Sequence, residues 1–123
     1  MIIMDKNYIE ERMNNPLIIK VCKTILESPF ADSELKFRAS KYLKATDEEA
    51  AFEATRHLIS AAVKYRMTNR QVIDYITVAT KLGNFDESLS ELYISRAKAL
   101  HEQGVVYCQC PACNLCTKIL ELK

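Results

Sequence analysis

TDEEAAFEATRHLISAAVKY, residues 46–65, is the stretch on which the fold reading turns. Thr46 followed three positions later by Glu49 has the form of a capping box, in which the Glu49 carboxylate reaches back to the Thr46 amide. Beyond it Ala50, Ala54, Leu58, Ala61, Ala62 and Tyr65 return every three or four residues, the stripe of an amphipathic helix. Most of these side chains are small, so a second helix can approach closely. The sequence therefore predicts a helix at the centre of a bundle.

The same punctuation extends in both directions. The chain has only two glycines and three prolines, and most fall where a helix would begin or end. Asn15-Pro16 supplies an N-cap and a proline at the first helical position, and the run Leu17, Ile18, Val21, Cys22, Ile25 closes at Ser28-Pro29. Asp5 can cap a shorter helix with Tyr8, Ile9 and Met13 on one side. Asp32 can cap another, with Leu35, Ala39, Tyr42 and Leu43 as its stripe. Thr68 and Gln71 form a second box, opening a helix with Val72, Ile73, Ile76 and Ala79 inward that stops at Gly83. Asp86 starts the last long helix, with Leu89, Leu92, Tyr93 and Leu100 inward and Gly104 at its end. Val105-Val106-Tyr107 reads as a short extended lead, and residues 117–123 as a helical turn or two. The expectation is an all-α fold: a compact bundle of four to five main helices over residues 1–104, with a cysteine-rich metal knuckle over residues 105–123 packed on it as part of one structural domain. No repeat is visible.

The totals narrow the function. A chain of 123 residues suits one domain. Seventeen basic and sixteen acidic side chains leave a net charge of +1, which provides no field to gather nucleic acid or an anionic membrane. No apolar run approaches the roughly 20 residues of a membrane span. Residues 1–4, MIIM, are followed at once by Asp5 and Lys6, without the pattern of a secretion signal. A cytoplasmic, reducing setting is expected, where clustered cysteines act as metal ligands or redox groups in preference to structural disulfides.

Four of the five cysteines crowd into YCQCPACNLC, residues 107–116. Thiolates at Cys108, Cys110, Cys113 and Cys116 would repel one another without a cation, and a metal makes their crowding favourable. Cys110-Pro-Ala-Cys113-Asn114 resembles a zinc or rubredoxin-type knuckle, with Asn where glycine is usual after the second cysteine; Asn tolerates the left-handed conformation. Cys110-x2-Cys113-x2-Cys116 is similar to the triplet spacing of bacterial ferredoxins, over seven residues and without their downstream Cys-Pro. Zinc is expected first and a [4Fe-4S] cluster is the alternative. In a tetrahedral zinc site sulfurs lie about 3.8 Å apart, so Cys108 and Cys110 must bend toward each other, whereas the corners of a cluster are more widely spaced. Cys22 shares a helical face with Ile18 and Ile25 and reads as a core residue. His101 is an alternative ligand.

Other groupings have plainer readings. His57 lies one turn from Glu53, but no nucleophile at a recognisable spacing accompanies them. Residues 75–92 have the small-residue and leucine spacing of a helix-turn-helix, yet Asp86, Glu87 and Glu91 would repel phosphate. Residues 36–44 carry four cations and two aromatics, flanked by acidic residues, and read as a solvated face. The functional expectation is a small metal-binding protein, not an enzyme, that acts as a protein-interaction module. An electron-transfer or redox-sensing cluster protein and a zinc-stabilised nucleic-acid-binding module are the alternatives. The expected partner is another protein, with nucleic acid and membrane not expected and self-association left open.

Overall fold

A computed structural model describes residues 5–29 and 31–122. The expectations that touch residues 1–4 and Lys123 lie outside these. The described residues are all-helical, with seven helices in place of the expected four to five: α1 (Lys6–Glu10), α2 (Pro16–Glu27), α3 (Ser33–Lys44), α4 (Glu48–Tyr65), α5 (Asn69–Lys81), α6 (Glu87–Glu102) and α7 (Pro111–Glu121). Contacts divide the chain into two compact units. One holds residues 1–66 together with 111–123, and the other holds residues 67–110. Helix α7 belongs to the first unit, with α1 to α4.

In the first unit the helix starts follow local chemistry. Asn15 accepts from the Leu17 amide at 2.9 Å ahead of Pro16, and Asp32 accepts from the Glu34 amide at 2.8 Å. At α4 the cap is Asp47, not Thr46, and its carboxylate accepts from the Ala50 amide at 2.8 Å. A carboxylate is the stronger acceptor for the positive end of a helix, so the start moves one residue on. Leu58, Ala61 and Ala62 of the expected stripe are buried, joined by Ala51, Thr55 and Ile59, while Ala54 and Tyr65 are half-buried and Ala50 is exposed. Thr55 is tolerated in the interior because its hydroxyl donates to the Ala51 carbonyl at 2.7 Å.

The largest departure from expectation is α7. It begins at Pro111, inside the cysteine cluster, and Leu115, Cys116, Ile119 and Leu120 enter the same core as Ile18, Ile25, Leu35 and Leu58. Proline suits a first helical position. The stripe was hidden because the cysteines read as ligands, although a thiol also packs as a small apolar group. The far end of α7 is held by Arg12, a buried cation. Its Nε donates to the Ile119 carbonyl at 2.8 Å, Nη2 to the Leu120 carbonyl at 2.7 Å and Nη1 to the Tyr8 carbonyl at 2.9 Å. The guanidinium also lies 3.6 Å from the centre of the Tyr8 ring, and the Tyr8 hydroxyl donates to the Leu120 carbonyl at 2.8 Å. A cation is favourable at the negative end of a helix, where the last carbonyls lack intrahelical donors.

The second unit is built on a hairpin of α5 and α6. The Thr68 and Gln71 capping box is formed as expected, Gly83 takes φ +76° beyond the end of α5, and Asp86 caps α6 through the Ser88 and Leu89 amides. Thr80 Oγ1 and Ser90 Oγ meet at 2.9 Å near the turn, and residues 67–69 pair with 105–108 at the other end, so the helices run antiparallel. Ser90 and Ala97 are the buried residues of α6. Leu89, Leu92 and Tyr93, expected inward, are exposed. Small side chains occupy the α5-facing side and let the helices close up, which turns the leucines away. A helix-turn-helix would bury them at its corner. Among the described residues no helix is long and apolar enough to cross a membrane.

Candidate metal centre

The cysteine segment is positioned by the start of α5. Cys108 donates its amide to the Met67 carbonyl at 2.9 Å, and Asn69 donates its own to Val106 at 2.8 Å. Thr68 and Tyr107 form an isolated antiparallel bridge. Asn69 is fully buried, and its side-chain amide donates to the Val105 carbonyl at 2.8 Å and the Tyr107 carbonyl at 3.2 Å. One polar side chain thus holds the strand-like lead from both ends and fixes where Cys108 begins. The extended lead expected over residues 105–107 is present in this form.

Cys108, Cys110 and Cys113 offer three sulfurs that lie within 4.8 Å of one another, an arrangement that can hold a metal ion. The chain bends as a knuckle requires: the Cys110 amide donates to Cys108 Sγ at 3.4 Å. Cys110 directly precedes α7 and Cys113 is its third residue, so both stand at the positive end of an eleven-residue helix. Cys113 is buried, with its thiol 3.9 Å from the Tyr65 carbonyl. The left-handed turn anticipated at Asn114 does not occur, because Asn114 is a residue of α7 and carries no positive φ.

Cys116 is not among the three grouped sulfurs. It follows Cys113 by three residues on α7 and is 1% exposed, within the core of the first unit. Cys22 is fully buried on α2, where loss of solvation pushes its thiol up to about 12. His101 is exposed on α6 and stands outside the group. Sequence reading missed Asn69 and Arg12. Asn69 carries no signal beyond its place after a helix cap, and Arg12 sits among charged neighbours that conceal its burial.

The remaining groupings keep surface geometry. His57 Nε2 is 3.5 Å from Glu53 Oε2, and Arg56 Nη2 is 2.7 Å from the same oxygen. The hydrogen bond from Arg56 holds the Glu53 carboxyl below its usual range, with the charges of Arg56 and His57 adding to it. Arg38, Lys41 and Lys44 border an open hollow of about 330 Å³ between α3 and α4, beside His57. Lys41 and Lys44 lie in the last turn of α3, where cations complement the C-terminal carbonyls. Comparison with known protein families, characterised proteins and solved structures finds no match for this chain.

Proposed function

We propose that this chain is a small, non-catalytic zinc-binding helical protein that works through contacts with other protein surfaces. The observation that carries the metal reading is the approach of three sulfurs to within 4.8 Å of one another. Free thiolates at that separation repel, and a bound cation reverses the sign of the interaction. Close spacing favours one ion over a cluster, since sulfurs around tetrahedral zinc sit about 3.8 Å apart. The helical course of α7 points the same way, because a ferredoxin-type triplet wraps its three cysteines round a cluster while Cys116 lies along a helix in the core.

Cys108, Cys110 and Cys113 are then three ligands, and Cys116 is the fourth. Residues three apart on a helix are neighbours, with Cβ atoms about 5–6 Å apart, so a change of the Cys116 rotamer can complete the site. Four thiolates leave no position for water, and such a centre organises structure without catalysing hydrolysis. Anaerobic purification with elemental analysis tests the reading. One zinc per chain, lost in the Cys110→Ser/Cys113→Ser variant, is expected. Brown protein with about four irons per chain would overturn it in favour of electron transfer, and metal-free protein with reactive thiols would overturn metal binding itself.

A further inference from the structure

The α5–α6 hairpin buries little of its own apolar surface. Ile76 and Ala97 are the apolar side chains buried on these helices, beside the polar Asn69 and Ser90. Tyr75, Val78 and Leu82 on the α5 side are 65%, 56% and 69% exposed, and Leu92 on α6 is 62% exposed. Leu89 and Tyr93 are also exposed. These side chains share one face. At about 100° per residue, and measured from Ile76, the three residues of the α5 stripe lie roughly 100–160° to one side. Measured from Ser90 and Ala97, those of α6 lie roughly 40–160° round in the same rotational sense. Because the helices are antiparallel, the same sense of rotation brings both stripes onto the same side of the hairpin. Glu91 and Lys98 fall on other sides, Asp74 borders the α5 stripe one turn before Val78, and Arg96 is the one ionised side chain within the stripes.

We propose that this face is a homodimer interface, in which the hairpins of two copies of the chain pack as a four-helix bundle. Two helices form a single layer, and a stable helical core needs a second layer against its apolar side. Six large residues at these exposures leave on the order of 700 Å² accessible, most of it apolar, which is at or above the roughly 300–600 Å² of the largest patch on an ordinary monomer. That area is near the roughly 800 Å² that each partner contributes to a stable interface, itself about 10% of the surface of a small protein and in keeping with the 8019 Å² of this chain. The chemistry favours a second copy over a charged partner. The patch has a single carboxylate, Asp74, at its border, the net charge of +1 hardly opposes self-association, and the patch can meet itself across a two-fold axis. Arg96 lies four residues from Leu92, about 6 Å along the helix, so an axis through Val78 and Leu92 keeps the two guanidinium groups at opposite ends.

The proposal does not depend on the metal reading. Sedimentation velocity on the full chain, reduced and as purified, should show a species of twice the 14.1 kDa chain mass that dissociates on dilution. Leu92→Glu and Val78→Glu should each weaken the dimer by at least about 100-fold, since each change places two charges in the apolar centre. Glu91→Ala, on another side of α6, should leave it unchanged. If helical circular dichroism shows that Leu92→Glu disturbs the hairpin, Leu82→Ser at the end of the patch carries the test, with a weakening of about tenfold. Cys110→Ser/Cys113→Ser should remain dimeric. A wild-type chain that stays monomeric across micromolar concentrations overturns the proposal. So does a dimer that withstands both glutamate variants, or one that requires the cysteines.

Discussion

Replacing Arg12 by alanine tests whether α7 is held by its own contacts. Arg12 is 4% exposed and donates to the carbonyls of Tyr8, Ile119 and Leu120. Leu120 keeps a donor in the Tyr8 hydroxyl, but the Ile119 carbonyl and that of Tyr8 lose the one Arg12 supplies. A buried and a part-buried acceptor left short cost about 1–3 kcal/mol each, and the lost contact with the Tyr8 ring adds about 1 kcal/mol. Release of an ordered arginine and entry of water into the space return roughly half. The net loss is about 3 kcal/mol, a large share of the roughly 5–15 kcal/mol that holds a domain of this kind together. Urea unfolding followed by helical circular dichroism should give a lower midpoint with unchanged slope. Arg12→Lys keeps the charge but cannot span three carbonyls, so it should recover less than half of the loss. The cost should be the same in the Cys110→Ser/Cys113→Ser background, because the cysteines are at the opposite end of a helix about 16 Å long. A loss below about 1 kcal/mol, or full recovery by lysine, would refute the reasoning.

Three further outcomes are expected. Asn69→Ala removes the donor shared by the Val105 and Tyr107 carbonyls and should lower metal affinity by about 10–100-fold, the usual effect of losing a group that orients ligands; competition with a chromophoric chelator reads it. Cys22 is raised by burial to about 12 and Tyr42 likewise to about 12. Their folded-state pKa values exceed the unfolded ones, so the stability they confer is complete below about pH 9 and is lost as pH rises toward 12; denaturant midpoints measured through that range should fall, and Cys22→Ala should flatten the decline. Cys116→Ala separates ligand from core residue: as a ligand its loss weakens metal binding by at least about 100-fold, while a purely packing role costs about 1 kcal/mol of stability with metal retained.

The helix starts were legible because they are set by neighbours in sequence. Asn15-Pro16, Asp32, the Thr68–Gln71 box and Asp86 each satisfy amides within three residues, so no tertiary knowledge is needed. Facing directions were less so. Leucine at 89 and 92 satisfies a helical stripe as well as serine at 90 and alanine at 97 violate one, yet close approach of α5 selects the small residues. Hydrophobic periodicity reports that a stripe exists, not which partner it meets. At the cysteines the spacing indicated a metal, and Cys108, Cys110 and Cys113 do lie close together. It could not show that α7 starts among them, because a cysteine is at once a ligand and a core residue and its sequence carries no mark of which demand prevails.

Those two demands meet on α7. A helix start supplies free amides and a partial positive charge of about half a unit, which lessens the repulsion among crowded thiolates. The Cys110 amide directed at Cys108 contributes in the same sense. Three thiolates on a divalent cation carry a net charge of −1, and the helix end offsets part of it; a fourth thiolate raises the charge to −2 and must leave an apolar pocket to bind. Cys116 therefore weighs coordination against burial beside Ile119 and Leu120. Neither term dominates by its nature, since a buried thiol gains about as much from packing as other small apolar groups. The balance makes the rotamer of Cys116 the link between a bound metal ion and the core of the first unit: drawing its sulfur to the ion would complete the proposed site and open a small void in that core, a packing cost that the fourth bond must outweigh.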